Sequence, residues 1–211
     1  MDGIMDKQSL WLRWATEIQA IAQTGLSYTK DVFDWERYEK LMAISAQMMA
    51  QLTDSDTGEL YKAFLQQKGY ACPKLDVRAF IIKDDDVCLV KEAQDSKWSL
   101  PGGWADVNQS PSQCIIREVF EETGYCVDID YLMAYWDTAQ HDHPPHWPYI
   151  YKAIFACVIK GGTKQISHEI EDIDCFPIDN LPVLSEDRIT EKQIKQLYTL
   201  YRQENKVTVF D

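Results

Sequence analysis

The sequence predicts an α/β protein of the α+β kind, with a small N-terminal helical domain over residues 1–70 and a larger domain of short strands and helices over 71–211. Three observations carry that prediction. Apolar residues recur at helical spacing through the first stretch. Near Leu75 the texture changes to short β-type runs separated by turns. A Pro-Gly-Gly turn at residues 101–103 then leads into a glutamate-bearing helix closed by Gly124.

Ser9 to Thr24 places Trp11, Ala15, Ile18 and Ala22 on one stripe, which Trp14, Ile21 and Gly25 extend to the end of a first helix. Asp34 to Leu52 repeats the pattern through Tyr38, Leu41, Met42, Met48, Met49 and Leu52, with Asp34 as the expected N-cap. The polar string Thr53 to Gly58 reads as a linker, and Glu59 to Gln67 as a short third helix closed by Gly69. Three helices cannot bury so many large apolar side chains on both faces by themselves. They are expected to pack on the following domain or on a second copy of the chain, and their Trp and Met content suits a homodimer interface.

From Leu75 onward, Val77–Ile82 and Val87–Val90 flank Asp84-Asp85-Asp86 and read as a hairpin. Tyr131–Trp136 and Tyr149–Lys160 read as further strands, with Gly161-Gly162 turning the chain. After a loop through Pro182, Thr190 to Arg202 is expected to be helical.

The formal charge is −13, and the sequence pI is about 4.7. A surface of that sign disfavours nucleic-acid binding through a basic patch, which works by releasing counterions from phosphates. If the ligand carries phosphate, positive charge has to come from elsewhere, and a metal ion is the natural source. Cys72, Cys88, Cys114, Cys126, Cys157 and Cys175 are scattered without a C-x-x-C pair, so they read as reduced, mostly buried thiols. Met1 to Asp6 lacks the character of a signal peptide. The longest apolar run, Ala153 to Ile159, is far below the ~20 residues that span a bilayer. A cytoplasmic protein without a membrane partner is expected.

Ser112 to Thr123 reads as the helix that carries chemistry. At ~100° per residue, Ile115, Ile116, Val119 and Phe120 fall on one arc, while Glu118, Glu121 and Glu122 fall opposite, flanked by Arg117. Carboxylates crowded on adjoining turns repel each other, and a divalent cation removes that penalty. Hard cations such as Mg2+ choose carboxylate and carbonyl oxygens and share their remaining sites with water and substrate phosphates.

From Gly103 the sequence resembles the box of the Nudix hydrolase family, G-x5-E-x7-R-E-U-x-E-E-x-G-U, where U is bulky and aliphatic. Gly103, Arg117, Glu118, Val119, Glu121, Glu122 and Gly124 match it. Tyr125 is aromatic where the pattern has an aliphatic residue, and Gln109 stands in place of the first glutamate. The resemblance implies a three-layer α/β/α sandwich with a mixed sheet, and attack of water on a diphosphate dependent on Mg2+, for which Mn2+ can substitute. By similarity, Glu118 and Glu122 are the leading metal ligands, Glu121 is a further ligand or water-organising group, the Gly102 carbonyl completes the shell, and Arg117 orients the carboxylates. A glutamine keeps a carbonyl acceptor and loses the charge. Weaker or altered metal occupancy is accordingly expected, not a dead enzyme, and Gln109→Glu is expected to change the divalent-metal dependence.

Members of the family that split nucleoside diphosphates linked to sugars or alcohols often take a general base from a glutamate downstream of the box. In the acidic stretch His168 to Asp174, alternation along an extended segment would put Glu169 and Glu171 on one face, which makes Glu169 the candidate base and Glu171 the second choice. The loop Gln140 to Trp147 holds three histidines, but its two prolines forbid helical presentation of a metal pair, so it reads as a rim of the substrate cleft. Trp104, Trp136, Trp147 and Tyr149 offer aromatic surfaces for a base. Arg78, Trp104, His143 and Glu171 are the candidate substrate contacts.

The N-terminal helices, the run Trp98 to Val107, the His-Pro-Pro loop and the closing Val209-Phe210-Asp211 resemble a bacterial Nudix subgroup that includes CDP-choline and ADP-ribose pyrophosphatases. That likeness implies a homodimer built by the helical extension, and hydrolysis of a P–O–P bridge to CMP and phosphocholine or to AMP and ribose 5-phosphate. RNA is a minor expectation given the −13 charge. The competing expectation is a Nudix-like module that binds nucleotides without cleaving them, and Gln109 is the feature that favours it.

Overall fold

The computed structural model of the chain describes residues 7–53, 55–144 and 146–211. The readings made on Met1–Asp6, on Asp54 in the linker and on Pro145 in the His-Pro-Pro loop lie outside the described residues. The chain divides into two compact units, one of residues 7–73 with 146–149 and one of 74–144 with 150–211.

The first unit holds helices α1 (Lys7–Tyr28), α2 (Val32–Leu52) and α3 (Thr57–Gln66). Its core joins small and flexible side chains, Ala15, Ala22, Met42, Ala46 and Met49, with Phe64. The buried Ser45 hydroxyl donates to the Ala15 carbonyl at 2.7 Å and ties α2 to α1. Gly25 does not end α1. The helix runs on to Tyr28, and a Cβ at Gly25 would lie 2.5 Å from the Tyr38 ring, so the glycine is there to let that ring approach the backbone. Asp31, not Asp34, caps α2, its carboxylate accepting from the backbone N–H of Phe33 and Asp34. The apolar stripe expected on α1 splits: the alanines face α2, while Trp11, Trp14 and Ile21 are exposed, joined by Tyr28, Val32, Phe33 and Trp35. Trp147 packs against Phe64 with ring centroids 4.9 Å apart, so this tryptophan belongs to the helical core and is not a stacking surface at a cleft rim.

The second unit contains β1 (Lys74–Lys83), β2 (Asp86–Glu92), β3 (Trp98–Ser99), β4 (Gly102–Trp104), α4 (Pro111–Thr123), β5 (Tyr125–Asp137), β6 (Ile150–Gly162), β7 (Ile170–Phe176), α5 (Glu191–Tyr201) and β8 (Val209–Phe210). The strand order is β3-β2-β1-β6-β5-β8, with β4 also paired to β1 and β7 to β2. β1 runs parallel to β6 and β8 parallel to β5, while the other pairs are antiparallel, so the sheet is mixed. Alternation along β1 sorts its side chains to two layers. Val77, Ala79 and Ile81 pack with Cys114, Ile115 and Val119 of α4, whereas Phe80 packs with Ile194 and Leu197 of α5. The result is the α/β/α arrangement with one helix on each face.

Two expectations about the chain's course and its cysteines fail in this unit. Gly161 and Gly162 do not turn the chain but extend β6 opposite Cys126 and Tyr125; at Gly162, φ is 84° and a Cβ would lie 2.2 Å from the Gly124 carbonyl. The six cysteines are not all reduced thiols, because Cys88 and Cys175 form a disulfide. The two are register partners across antiparallel β2 and β7, a proximity hidden by a sequence separation of 87.

Candidate active site

The chemistry-bearing turn is fixed by β1. Gly103 pairs with Val77 and Gly102 with Arg78, the Ala79 N–H donates to the Pro101 carbonyl at 2.8 Å, and the Ala105 N–H donates to the Leu75 carbonyl at 2.9 Å. At Gly102 φ is +134°, and a Cβ would fall 2.1 Å from the Val77 carbonyl oxygen, so no other residue fits. Helix α4 follows with strong local signals. Ser110 and Gln113 form a capping box, Pro111 occupies the first turn, and Gly124 closes the helix in the left-handed conformation with φ 72°.

The faces of α4 differ from the sequence expectation. Ile116 and Phe120 are exposed, while Cys114, Ile115, Val119, Glu122 and Thr123 are buried. The buried stripe therefore runs through 115, 119 and 122 at i, i+4 and i+7, and it carries one of the glutamates inward. Glu122, 6% exposed, accepts the Gly102 N–H on Oε2 at 2.8 Å. Burial pushes its carboxyl up to about 8, opposed by the charge of Arg78 and the Gly102 hydrogen bond. Glu118 lies against the next glycine: a Cβ at Gly103 would be 3.1 Å from Glu118 Oε2. Its carboxyl is also raised, by burial first, against the pull of Arg117.

Arg117 gathers the acidic groups of the helix. Its Nη1 donates to Glu121 at 2.6 Å, its Nη2 to Glu118 and Asp106 at 2.8 Å each, and its Nε to Gln109 Oε1 at 3.2 Å. Gln109 thus keeps an acceptor on the arginine that a glutamate would also address, and Asp106 supplies a carboxylate to the same guanidinium. The sequence reading missed Asp106; its place before the helix offered no periodic signal.

A second group of charges lies on the α5 face of the sheet and was missed apart from Arg78. Asp76, Arg78, Glu92 and Lys152 are all buried. Asp76 accepts Arg78 Nε at 2.9 Å and is paired with Lys152, its register partner on β6. Burial works against the charge on Asp76, but Arg78 and Lys152 hold its carboxyl below the ordinary range. Arg78 Nη1 donates to the Leu100 carbonyl at 3.0 Å and stands 3.6 Å from Glu92, which also accepts from Ser99 at 2.7 Å and pairs with Arg188 at 3.2 Å. The one available sequence signal was the charged pair Asp76 and Arg78 at i, i+2 in a strand whose other inward residues are apolar.

The other candidates are dispersed. Trp104 is 50% exposed, with Lys74 Nζ 5.9 Å from its ring centre, so it remains an available surface. Trp136 is core, 1% exposed. Arg78 commits its donors to protein acceptors beneath the loop. His143 Nδ1 donates to the Glu186 carbonyl at 2.6 Å. Glu169 is not in the strand but in the turn before β7, exposed, its carbonyl accepting the Ala93 N–H at 2.8 Å. Glu171, inside β7, pairs with Lys91 at 2.8 Å and accepts from Ser96 at 2.8 Å. The expected common face for the two is lost because the strand begins only at Ile170.

Among the described residues, no three His, Cys, Asp or Glu side chains already converge as a metal cage. The donor set still fits a hard divalent ion. Glu118 and Glu122 flank the Gly102-Gly103 turn with oxygen donors only, and Arg117 holds Glu118 and Glu121 by the positive charge that such an ion would bring.

Comparison with known proteins decides the family. Residues 73–198 match the NUDIX domain, and residues 9–64 match a domain described as UDP-X-like, N-terminal oligomerisation domain. The chain belongs to the Nudix hydrolase family. This Nudix hydrolase is 40% identical over 204 residues to YjhB of Bacillus subtilis (strain 168), whose name carries a provisional ADP-ribose pyrophosphatase assignment; the match covers 97% of the chain and 98% of YjhB. The crystal structure of a UDP-X diphosphatase is 37% identical, with a TM-score of 0.63, over 96% of the chain and 99% of that protein. An ADP-ribose pyrophosphatase from Streptococcus suis 89-1591 is 36% identical, with a TM-score of 0.61, over 66% of the chain and all of that protein (100%). The Nudix box of this hydrolase is therefore the turn and helix just described, and the protein is a pyrophosphohydrolase with an N-terminal helical region ahead of an α/β fold.

Proposed function

We propose that this Nudix hydrolase cleaves the P–O–P bridge of a nucleoside diphosphate joined to a small moiety, with residues 71–211 as the hydrolase and 1–70 as a homodimerisation domain. The observation that carries the reading is Glu122, a buried carboxylate aimed at the Gly102 N–H beside Glu118. ADP-ribose is the first substrate to test, since two relatives bear that name; a UDP-linked compound and CDP-choline follow. With ADP-ribose, water adds to one phosphorus, the bridging oxygen leaves with the other, and AMP and ribose 5-phosphate result.

Glu118 and Glu122 would hold Mg2+, or Mn2+ in its place, with Glu121 and the Gly102 carbonyl as further oxygens. Bound there, the ion would draw charge from the phosphoryl oxygens and acidify a coordinated water. Arg117 keeps Glu118 and Glu121 oriented. Glu169 is the proposed base: its carboxylate is exposed, and its turn is tied by the backbone to Ala93, next to buried Glu92. Glu171 is the weaker choice because Lys91 and Ser96 already engage it. Trp104 is the proposed surface for a base, and His143 borders the same unit. Dimerisation is supported by the exposed apolar side chains of α1 and α2 and by the domain matched there. No helix among the described residues is long and apolar enough to cross a membrane.

The test is incubation with Mg2+ or Mn2+ and a panel of ADP-ribose, UDP-sugars, CDP-choline, dinucleotides and RNA, with products identified by chromatography. Glu122-dependent release of a nucleoside monophosphate is expected, with RNA cleaved poorly. No Glu122-dependent product from any compound would leave a nucleotide-binding module without hydrolysis. Turnover at the wild-type level in Glu169→Gln would remove Glu169 as the base.

A further inference from the structure

We infer that Arg78, held in place by Asp76 and Lys152, is a positioning residue for the metal carboxylate Glu122, reaching it through the Leu100–Gly102 turn. The inference rests on the reading of Glu122 as a metal ligand, and it concerns three residues that lie outside the Nudix box.

The path is continuous in hydrogen bonds and register. Asp76 Oδ1 accepts Arg78 Nε at 2.9 Å, and Oδ2 is paired with Lys152 Nζ. Arg78 Nη1 donates to the Leu100 carbonyl at 3.0 Å. Two residues later, the Gly102 N–H donates to Glu122 Oε2 at 2.8 Å. The backbone keeps these groups at one level of the sheet, since Arg78 pairs with Gly102 on β4 and Asp76 pairs with Lys152 on β6. Arg78 is also the cation whose charge acts on Glu122.

Stability alone does not account for this construction. Asp76 is 3% exposed, Arg78 6% and Lys152 1%, and burying such ions costs several kcal/mol each, so that apolar side chains of similar volume commonly stabilise a fold equally well. What apolar side chains cannot do is address two targets in a fixed plane. The guanidinium does so, with Nε on Asp76 and Nη1 on the Leu100 carbonyl, and the single point charge of a lysine cannot reproduce that fork. Outer partners that orient a metal-binding carboxylate typically change metal affinity or activity by about 10- to 100-fold when removed.

The experiment measures Mn2+ binding to the metal-free full chain by electron paramagnetic resonance, together with kcat and KM on the substrate that the wild type hydrolyses, for Arg78→Lys, Asp76→Asn and Glu122→Gln. The expected result is that Arg78→Lys and Asp76→Asn weaken Mn2+ binding by about 10- to 100-fold and lower kcat with KM nearly unchanged. A merely structural brace would lower the melting temperature and leave Mn2+ affinity and kcat of the folded protein at wild-type values, and that result overturns the inference. Should Asp76→Asn fail to fold, Arg78→Lys, which keeps the charge and loses the fork, decides by itself. Glu122→Gln separates metal binding by Glu122 from the positioning role of Arg78. If it binds Mn2+ like the wild type, the metal-ligand reading falls and takes this inference with it; if it loses Mn2+ while Arg78→Lys does not, only the positioning role is lost.

Discussion

The two units of this chain break the usual division between apolar interior and polar surface in opposite directions. In the helical unit, alanines and methionines fill the interior while Trp11, Trp14, Phe33 and Trp35 face outward. In the sheet unit, the interior holds the titratable side chains Asp76, Arg78, Glu92, Glu122 and Lys152. Each inversion costs free energy in the isolated unit. The exposed apolar side chains support the proposed dimer, and the buried charged groups support the proposed metal site.

The sharpest way to break the comparison is at Glu122. Glu122→Gln is expected to reduce hydrolysis about a thousandfold or more, since it removes the proposed metal carboxylate. The same change should make the metal-free protein more stable at alkaline pH. Folded Glu122 titrates at about 8 against an ordinary 4.5, so its favourable contribution is complete below 4.5 and is lost as pH rises through about 8. Melting curves at pH 5 and pH 9 check this: the fall in wild-type stability across that range should shrink in the variant. An unchanged fall would mean that Glu122 is not the buried acid described.

Gly102→Ala tests the turn that meets Glu122. The Cβ would sit 2.1 Å from the Val77 carbonyl at a φ of +134°, so a loss of about 3 kcal/mol or more and displacement of β4 are expected, read by denaturant titration. For the helical unit, Trp14→Asp with Trp35→Asp should shift the proposed dimer towards monomer in sedimentation, with about 2 kcal/mol or more of association free energy lost per tryptophan. A double variant with unchanged sedimentation would show that these side chains are ordinary surface. The smallest effect belongs to Gln109→Glu. Arg117 already holds Gln109, Asp106, Glu118 and Glu121, so the added exposed charge should move the Mg2+ titration midpoint by less than about fivefold.

Legibility followed the range of the interaction. The helices were readable because periodicity is local, but their ends were less so: Gly124 closes α4 as expected, whereas α1 runs past Gly25, Asp31 caps α2 in place of Asp34, and α4 begins at the Ser110 box ahead of Ser112. The Nudix box was readable because it is one continuous stretch. The face of α4 was misread because hydrophobicity alone placed Ile116 and Phe120 inside and Glu122 outside; the contact with Gly102, 20 residues away in sequence, decides otherwise. Glu169 and Glu171 were put on one face because the start of β7 depends on its partner β2, which the segment itself does not reveal.

The sequence by itself determined the helical unit and the strand-rich unit after it, because their spacing matches helical turns and strands, and it carried the Nudix box and its glutamates as one continuous motif. Only the tertiary structure decided that Asp76, Arg78 and Lys152 form one buried group, that Cys88 meets Cys175, that Trp147 joins the helical core, and that Asp106 serves Arg117 beside Gln109. Those outcomes rest on strand register and chain return over long separations, where pairing across the sheet selects which side chains meet.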